Sequence, residues 1–293
     1  MRASSQSRWD ERIARARHLA DRHPAAADIL SFYATLAEYQ QSLAARWARA
    51  GRPAAGAQPD SRGTLELAVL SEPTLEAVAD FLTWLGNAAP PRLAGAVGAL
   101  GCLDRSAWRV VLDEYLHSTA HTPRGGDPGP RSRSETAAAD APRVFVIEAL
   151  LQPLAERLAV EWRLDRPTSP PAAASSRCPV CNDLPVVGVL REEGEGAKRS
   201  LVCGLCLTEW PYFRLVCPGC GEGRFDALPV FTSDQAPGAR VEVCDTCRRY
   251  IKTIDLTRDG HAIPCVDDLA TVSLDLWARE QGYARLRLNL LMT

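Results

Sequence analysis

Lysine is nearly missing from this chain. Of 34 basic residues only Lys198 and Lys252 are lysine, so almost every positive charge is a guanidinium. Beside the abundant alanine this reads as a compositional habit, not a functional signal. Net charge is −2 at pH 7, which removes any global electrostatic case for nucleic acid or an acidic membrane. The 293 residues contain no apolar run long enough to span a bilayer, so no transmembrane helix is expected. The opening stretch MRASSQSRWDERIARARHLA alternates charge with small residues and lacks the apolar core of a secretory signal. A reducing, cytoplasmic compartment is therefore expected. Catalytic signatures are missing too: there is no HExxH, no phosphate loop and no Ser-His-Asp pattern. The glycines of GAVGALG, at 95, 98 and 101, lie in a helical stretch with no strand before it and read as small-residue helix packing.

Cysteine, by contrast, is plentiful and ordered. Eight of the ten cysteines form four CxxC pairs: Cys178/Cys181, Cys203/Cys206, Cys217/Cys220 and Cys244/Cys247. In a reducing compartment such spacing reads as metal binding before disulfides. Each pair sits in a tight turn of small or turn-forming residues, so both thiolates can face one point. Two such knuckles close a tetrahedral four-sulfur site. The gaps between the first and second pairs and between the third and fourth, 21 and 23 residues, are close to a zinc-ribbon spacing. The segments inside those gaps alternate like β-hairpins. Sequential pairing is expected, with Cys178, Cys181, Cys203 and Cys206 on one metal and Cys217, Cys220, Cys244 and Cys247 on the other. Nested and cross-braced pairings are the alternatives. The donor set suits zinc and iron alike.

The expected fold is α+β: an N-terminal all-helical domain, then two tandem rubredoxin-like, zinc-ribbon β modules and a closing C-terminal helix. Residues 1–164 carry helical periodicity, as in Ile29, Phe32, Tyr33, Leu36, Leu43 and Trp47 on one stripe. Asp104 is the expected N-cap of a helix bearing Trp108, Leu112 and Tyr115. A Pro/Gly/Ser-rich loop is expected over 121–142, and 165–177 reads as a linker. The first metal module spans 178–212, the second 213–265, and 266–293 forms the closing helix and tail, with Asp267 or Asp268 as its N-cap. The linker implies that metal loss would affect the helical half little.

Between Cys178 and Cys247 six basic residues face ten acidic ones, so a zinc-ribbon nucleic-acid-binding protein is the weaker alternative. Four cysteines per metal leave no open position for a catalytic water, so no enzyme is expected. His117 and His121 could share a metal but read as a solvated helix end. Cys102 is expected in the core, and Cys265 reads as ordinary burial or a reactive thiol.

RCPVCNDLPVVGVL, RSLVCGLCLTEWPYFRLVCPGCGE, VEVCDTCRRYIKTID and DDLATVSLDLWAREQGY, with HPAAADILSFYATLAEYQ near the start, resemble the formate dehydrogenase accessory protein family, FdhE. The resemblance is weakest over 52–72 and 119–141. It implies a cytoplasmic maturation factor, not an enzyme, that contacts the catalytic subunit of formate dehydrogenase. It also implies iron in two rubredoxin-type sites, with zinc as the alternative occupant, and all eight knuckle cysteines carry over. A rubredoxin-like electron-transfer protein acting on the dehydrogenase is the rival expectation. No nucleic acid and no membrane insertion are implied.

Overall fold

The structure, a computed structural model, describes residues 5–49, 71–120, 141–161, 175–194 and 196–292. His121, the expected loop up to residue 140 and the linker up to residue 174 lie outside the described residues. The helical half begins with α1 (Ser5–Arg22) and α2 (Ala27–Arg49), broken from each other by a 3₁₀ turn at Pro24. It continues with α3 (Glu72–Ala88), α4 (Pro91–Gly98), α5 (Arg105–Ala120) and α6 (Ala141–Glu161). Asp104 caps α5 as expected: the Ala107 N–H donates to its Oδ1 at 2.8 Å. That hydrogen bond, with one from Ser106, holds the Asp104 carboxyl below its usual value.

Helix α6 is apolar on nearly every side, from Phe145 to Ala159, and is correspondingly buried at the centre of the helices. Its few polar side chains are matched. Glu156 takes an ion pair from Arg12 of α1, Gln152 bonds Gln40 of α2 at 3.2 Å, and Glu148 accepts from Tyr115 at 3.0 Å. No helix among the described residues is long and apolar enough to cross a membrane.

The period then changes to two. Strands β1 (Pro185–Glu193) and β2 (Gly196–Cys203) form the expected first hairpin, and β3 (Glu209–Pro211) extends it. Strands β4 (Val230–Thr232), β5 (Ala239–Cys244) and β6 (Arg249–Asp255) form the second unit. The expected strand preceding the second turn is shorter than its alternation suggested, because Phe225–Ala227 coils into a 3₁₀ turn.

The two units are one sheet. Its order is β3-β2-β1-β6-β5-β4, with β1 and β6 parallel at the centre. Gly188 makes this junction possible. It stands opposite Thr253, and a Cβ there would lie 2.3 Å from Thr253 Oγ1. Gly188→Val is therefore expected to destabilise the fold by about 1–3 kcal/mol through overpacking. Thr253→Gly in the same chain should recover part of that loss. Urea denaturation of the two variants would check it, and an unchanged midpoint for Gly188→Val would refute the junction's role.

The chain closes with α7 (Pro264–Ala270), α8 (Val272–Glu280) and the short β7 (Ala284–Arg285), which pairs with β6. The closing helix is thus two helices, and neither Asp267 nor Asp268 is its N-cap: Ile263 holds that position. Both aspartates are inside α7 because they are committed elsewhere. Asp267 pairs with Arg15 of α1, and Asp268 is fully buried in a charge cluster.

Packing joins the N-terminal helices to the C-terminal half in two places. Leu19, Leu30 and Tyr33 of α1 and α2 share a core with Val266 and Leu269 of α7. Helix α6 shares the largest core with Cys178, Cys203, Leu205 and Trp210. The helical half and the first knuckles therefore share one apolar core, so loss of a metal at those knuckles is expected to reach the helices as well.

Candidate metal centres

All four CxxC turns have one backbone form. The residue after the second cysteine takes a left-handed conformation in each: Asn182 (φ 60°), Leu207 (φ 51°), Gly221 (φ 79°) and Arg248 (φ 56°). That reversal lets the chain close on itself. Asn182, Gly221 and Arg248 donate their N–H to the carbonyl of the first cysteine of their turn at 3.0, 2.9 and 2.8 Å. The N–H of Cys178, Cys203 and Cys217 in turn donates to the carbonyl five residues on, at 2.8–2.9 Å. Backbone amides are thereby aimed at sulfur. Val180 N–H donates to Cys178 Sγ at 3.4 Å, Leu205 N–H to Cys203 Sγ at 3.3 Å and Gly219 N–H to Cys217 Sγ at 3.2 Å.

The structure brings the eight sulfurs together in the sequential grouping. Cys178, Cys181, Cys203 and Cys206 form one group and Cys217, Cys220, Cys244 and Cys247 the other, with all ligand atoms of a group within 4.8 Å of one another. In the first group Sγ–Sγ separations include 3.3, 3.5 and 3.6 Å, and in the second 3.6 and 3.8 Å. A tetrahedron of sulfurs about 2.3 Å from a central ion has edges of about 3.8 Å, so each group fits a metal in size and in donor chemistry. The separations are far beyond a disulfide bond of about 2.05 Å, and none of the ten cysteines is in a disulfide.

One thiol in each group is prepared for ionisation. Burial opposes it at Cys203, but hydrogen bonds from Cys178, Cys181 and Cys206 hold that thiol well below its usual value. At Cys217 a hydrogen bond from Cys247 outweighs burial, and the amides of Cys220 and Gly219 add to it, bringing the thiol down to about 5. Metal entry would then release the remaining protons.

The surroundings of the two groups differ. The first is buried at all four cysteines, whereas in the second Cys220 is exposed and Cys247 half-exposed. Arg287 clamps the first group. Its Nη2 reaches Asp183 Oδ2 at 2.7 Å and Glu148 of α6 at 3.1 Å, so it joins the first knuckle to the helical core. The guanidinium passes so close to Gly204 that a Cβ there would fall 2.2 Å from Arg287 Nε. Nothing in sequence spacing points to Arg287, which lies more than a hundred residues from Asp183.

The remaining cysteines stay apart from both centres. Cys102 is exposed, not in the core, because it ends a 3₁₀ turn at the edge of the helices. Cys265 lies 3.9 Å from Tyr33 Oη, and burial pushes its thiol up to about 11, the opposite of a reactive cysteine. Of the expected His117–His121 pair, His121 lies outside the described residues.

Comparison with known proteins decides the family. Residues 177–214 match the domain described as FdhE, central domain, and residues 217–292 match FdhE, C-terminal domain. A protein FdhE homolog of Stutzerimonas stutzeri is 31% identical over 294 aligned residues, covering 96% of this chain and 88% of its own length. The chain belongs to the FdhE family. A protein FdhE homolog of Aquifex aeolicus is 45% identical, but over 38% of this chain and only 40% of its own length. The crystal structure of the FdhE protein from Pseudomonas aeruginosa superposes with a TM-score of 0.69 at 25% identity, covering 100% of this chain and 98% of that one. The boundary between the two matched FdhE domains falls at 215–216, between the two cysteine groups.

Proposed function

We propose that this FdhE-family protein is a cytoplasmic accessory factor in the maturation of formate dehydrogenase, acting by binding the enzyme's catalytic subunit. The eight knuckle cysteines are its metal ligands, in two mononuclear four-sulfur centres, one in each ribbon module (178–212 and 213–265). Iron is the proposed metal and zinc the alternative occupant. The observation that carries this reading is the pair of closed four-sulfur groups in a chain of the FdhE family. A metal surrounded by four protein sulfurs keeps no position for water, which supports a role in binding and not in turnover. Each metal would hold two knuckles together and so set the surface that a client meets. Co-purification with the catalytic subunit, in cells that express both, tests the proposal. Failure to recover that subunit under conditions that recover its other partners would sink it.

A second reading has one observation in its favour. The exposed Cys220 and half-exposed Cys247 bring the second centre to the surface, as an electron-transfer site requires. An iron centre of this type can cycle between two oxidation states, and zinc cannot. Visible absorption and metal analysis of anaerobically purified protein separate the readings. Colourless, zinc-only protein with full maturation activity excludes electron transfer.

A further inference from the structure

Beside the second cysteine group, with Cys217 and Cys244 in its wall, the structure has a cavity of about 230 Å³. Its apolar lining comes from Ile251 on β6, Leu286 after β7, and Leu215 and Val216 in the segment joining the two ribbons. Four guanidiniums line it, Arg199, Arg214, Arg240 and Arg249, against the single carboxylate of Glu242. That carboxylate is already taken: Arg199 and Arg240 each reach it at 2.6 Å. The Arg214 side chain has one long contact, to the Ala197 carbonyl at 3.5 Å, and the side chain of half-buried Arg249 has no hydrogen bond or ion pair among the described residues. Arg199 is 2% exposed, and its Nε is buried with no hydrogen-bond partner. A chain with a deficit of net positive charge has thus concentrated unmatched cations in one concave place. A divalent metal with four thiolates would add two negative charges at the wall and still leave the cavity net positive.

At the mouth of the cavity the surface is apolar. Leu215 and Val230 line it and are 54% and 51% exposed, and Phe213, two residues before Leu215 in the chain, is 50% exposed. Val230 belongs to β4, the edge strand of the sheet, so a row of backbone groups is available for a further strand. Cations in a pocket, apolar side chains on its rim and a free strand edge are what an extended acidic peptide needs.

We infer that this cavity is a docking site for an extended segment of the client protein in which aspartate or glutamate alternates with leucine or phenylalanine. The inference rests on the partner-binding function proposed above. Carboxylates of the segment meet Arg249 and Arg214, while its apolar side chains cover Leu215 and Val230.

The test uses the full-length, metal-loaded protein and a fluorescein-labelled peptide that alternates aspartate with leucine and phenylalanine. Its control is the same peptide with asparagine for aspartate. Fluorescence polarisation is expected to show the acidic peptide bound at least about tenfold more tightly than the control, with affinity falling as salt rises. Arg249→Glu and Arg214→Glu should each weaken it by about tenfold or more, and Arg258→Glu, an exposed position outside the cavity, should not. Arg214 makes almost no internal contact, so that variant folds even if Arg249→Glu does not. Equal binding of the two peptides, or wild-type affinity in the Arg214 variant, would overturn the inference. Capture of the catalytic subunit tells this site apart from the function it rests on. Equal capture by wild type and Arg214→Glu removes the docking site and leaves the function. Binding of the acidic peptide by a wild type that captures no catalytic subunit removes the function and leaves the site.

Discussion

Serine in place of Cys203 is expected to unfold most of the protein, whereas serine in place of Cys220 is expected to leave it folded with one metal lost. Cys203 is fully buried and sits in the same apolar core as α6, Leu205 and Trp210, and Arg287 ties its knuckles to Glu148. If the first group holds a metal as proposed, its binding is worth on the order of 10–16 kcal/mol. A whole domain's net stability is about 5–15 kcal/mol, so loss of that metal leaves the shared core without enough to stand on. Cys220 is exposed, and the sheet behind it is held independently by the β1–β6 junction and the C-terminal charge cluster. Circular dichroism, metal analysis and limited proteolysis of the two variants would decide. A chelator should follow the same order, emptying the second centre first. Equal loss of helical signal in the Cys203 and Cys220 variants would sink this asymmetry.

Replacing Asp268 by asparagine is the second change expected to have a large effect. Asp268, Asp275, Lys252 and Arg285 are all buried, and they match two negative charges with two positive ones. Arg285 reaches Asp268 at 2.6 Å and Asp275 at 2.7 Å. Lys252 reaches Asp268 at 3.1 Å and Asp275 at 2.5 Å, and also donates to the Asp268 carbonyl at 2.6 Å. Tyr250 and Asn289 fill further acceptor positions at 2.8 and 2.7 Å. Asp268→Asn would leave two buried cations facing one carboxylate, a loss of about 3–5 kcal/mol. Because the cluster joins β6, β7, α7 and α8, the whole C-terminal end should loosen in urea.

The same cluster predicts a pH dependence. Burial opposes ionisation of Asp268, but Arg285 and Lys252 outweigh it and hold its carboxyl below the usual value. A depressed carboxyl contributes stability that is complete above the unfolded-state pKa, about 3.9, and is lost as pH falls through the lower folded value. Wild type should therefore lose more stability on acidification than Asp268→Asn, with metal content followed in both so that metal release is not mistaken for it. Parallel curves for the two proteins would contradict the assignment.

By itself the sequence determined the elements and the ligand groups. Helical and alternating periods mark α1, α2, α5, β1, β2 and β6 because burial of one face imposes its repeat on the chain. The CxxC spacing marks the eight sulfurs because a knuckle is a local turn, and the hairpin between two knuckles brings them together through short-range pairing alone. Long-range partners carry no such imprint. Only the tertiary structure decided that two ribbons share one sheet through Gly188 and Thr253, which are separated by 64 intervening residues. The same holds for Arg287, which reaches across the chain to Asp183 and Glu148, and for Asp268, whose place as an N-cap in the sequence pattern gave way to a buried ion cluster. Lys252 is the clearest case. Its rarity reads as composition, but its compact ammonium meets five acceptors, on Asp268, Thr271 and Asp275, where a planar guanidinium would not fit the same arrangement. The two cysteine groups are alike in spacing and differ in burial, because burial depends on what packs against a turn and not on the turn itself.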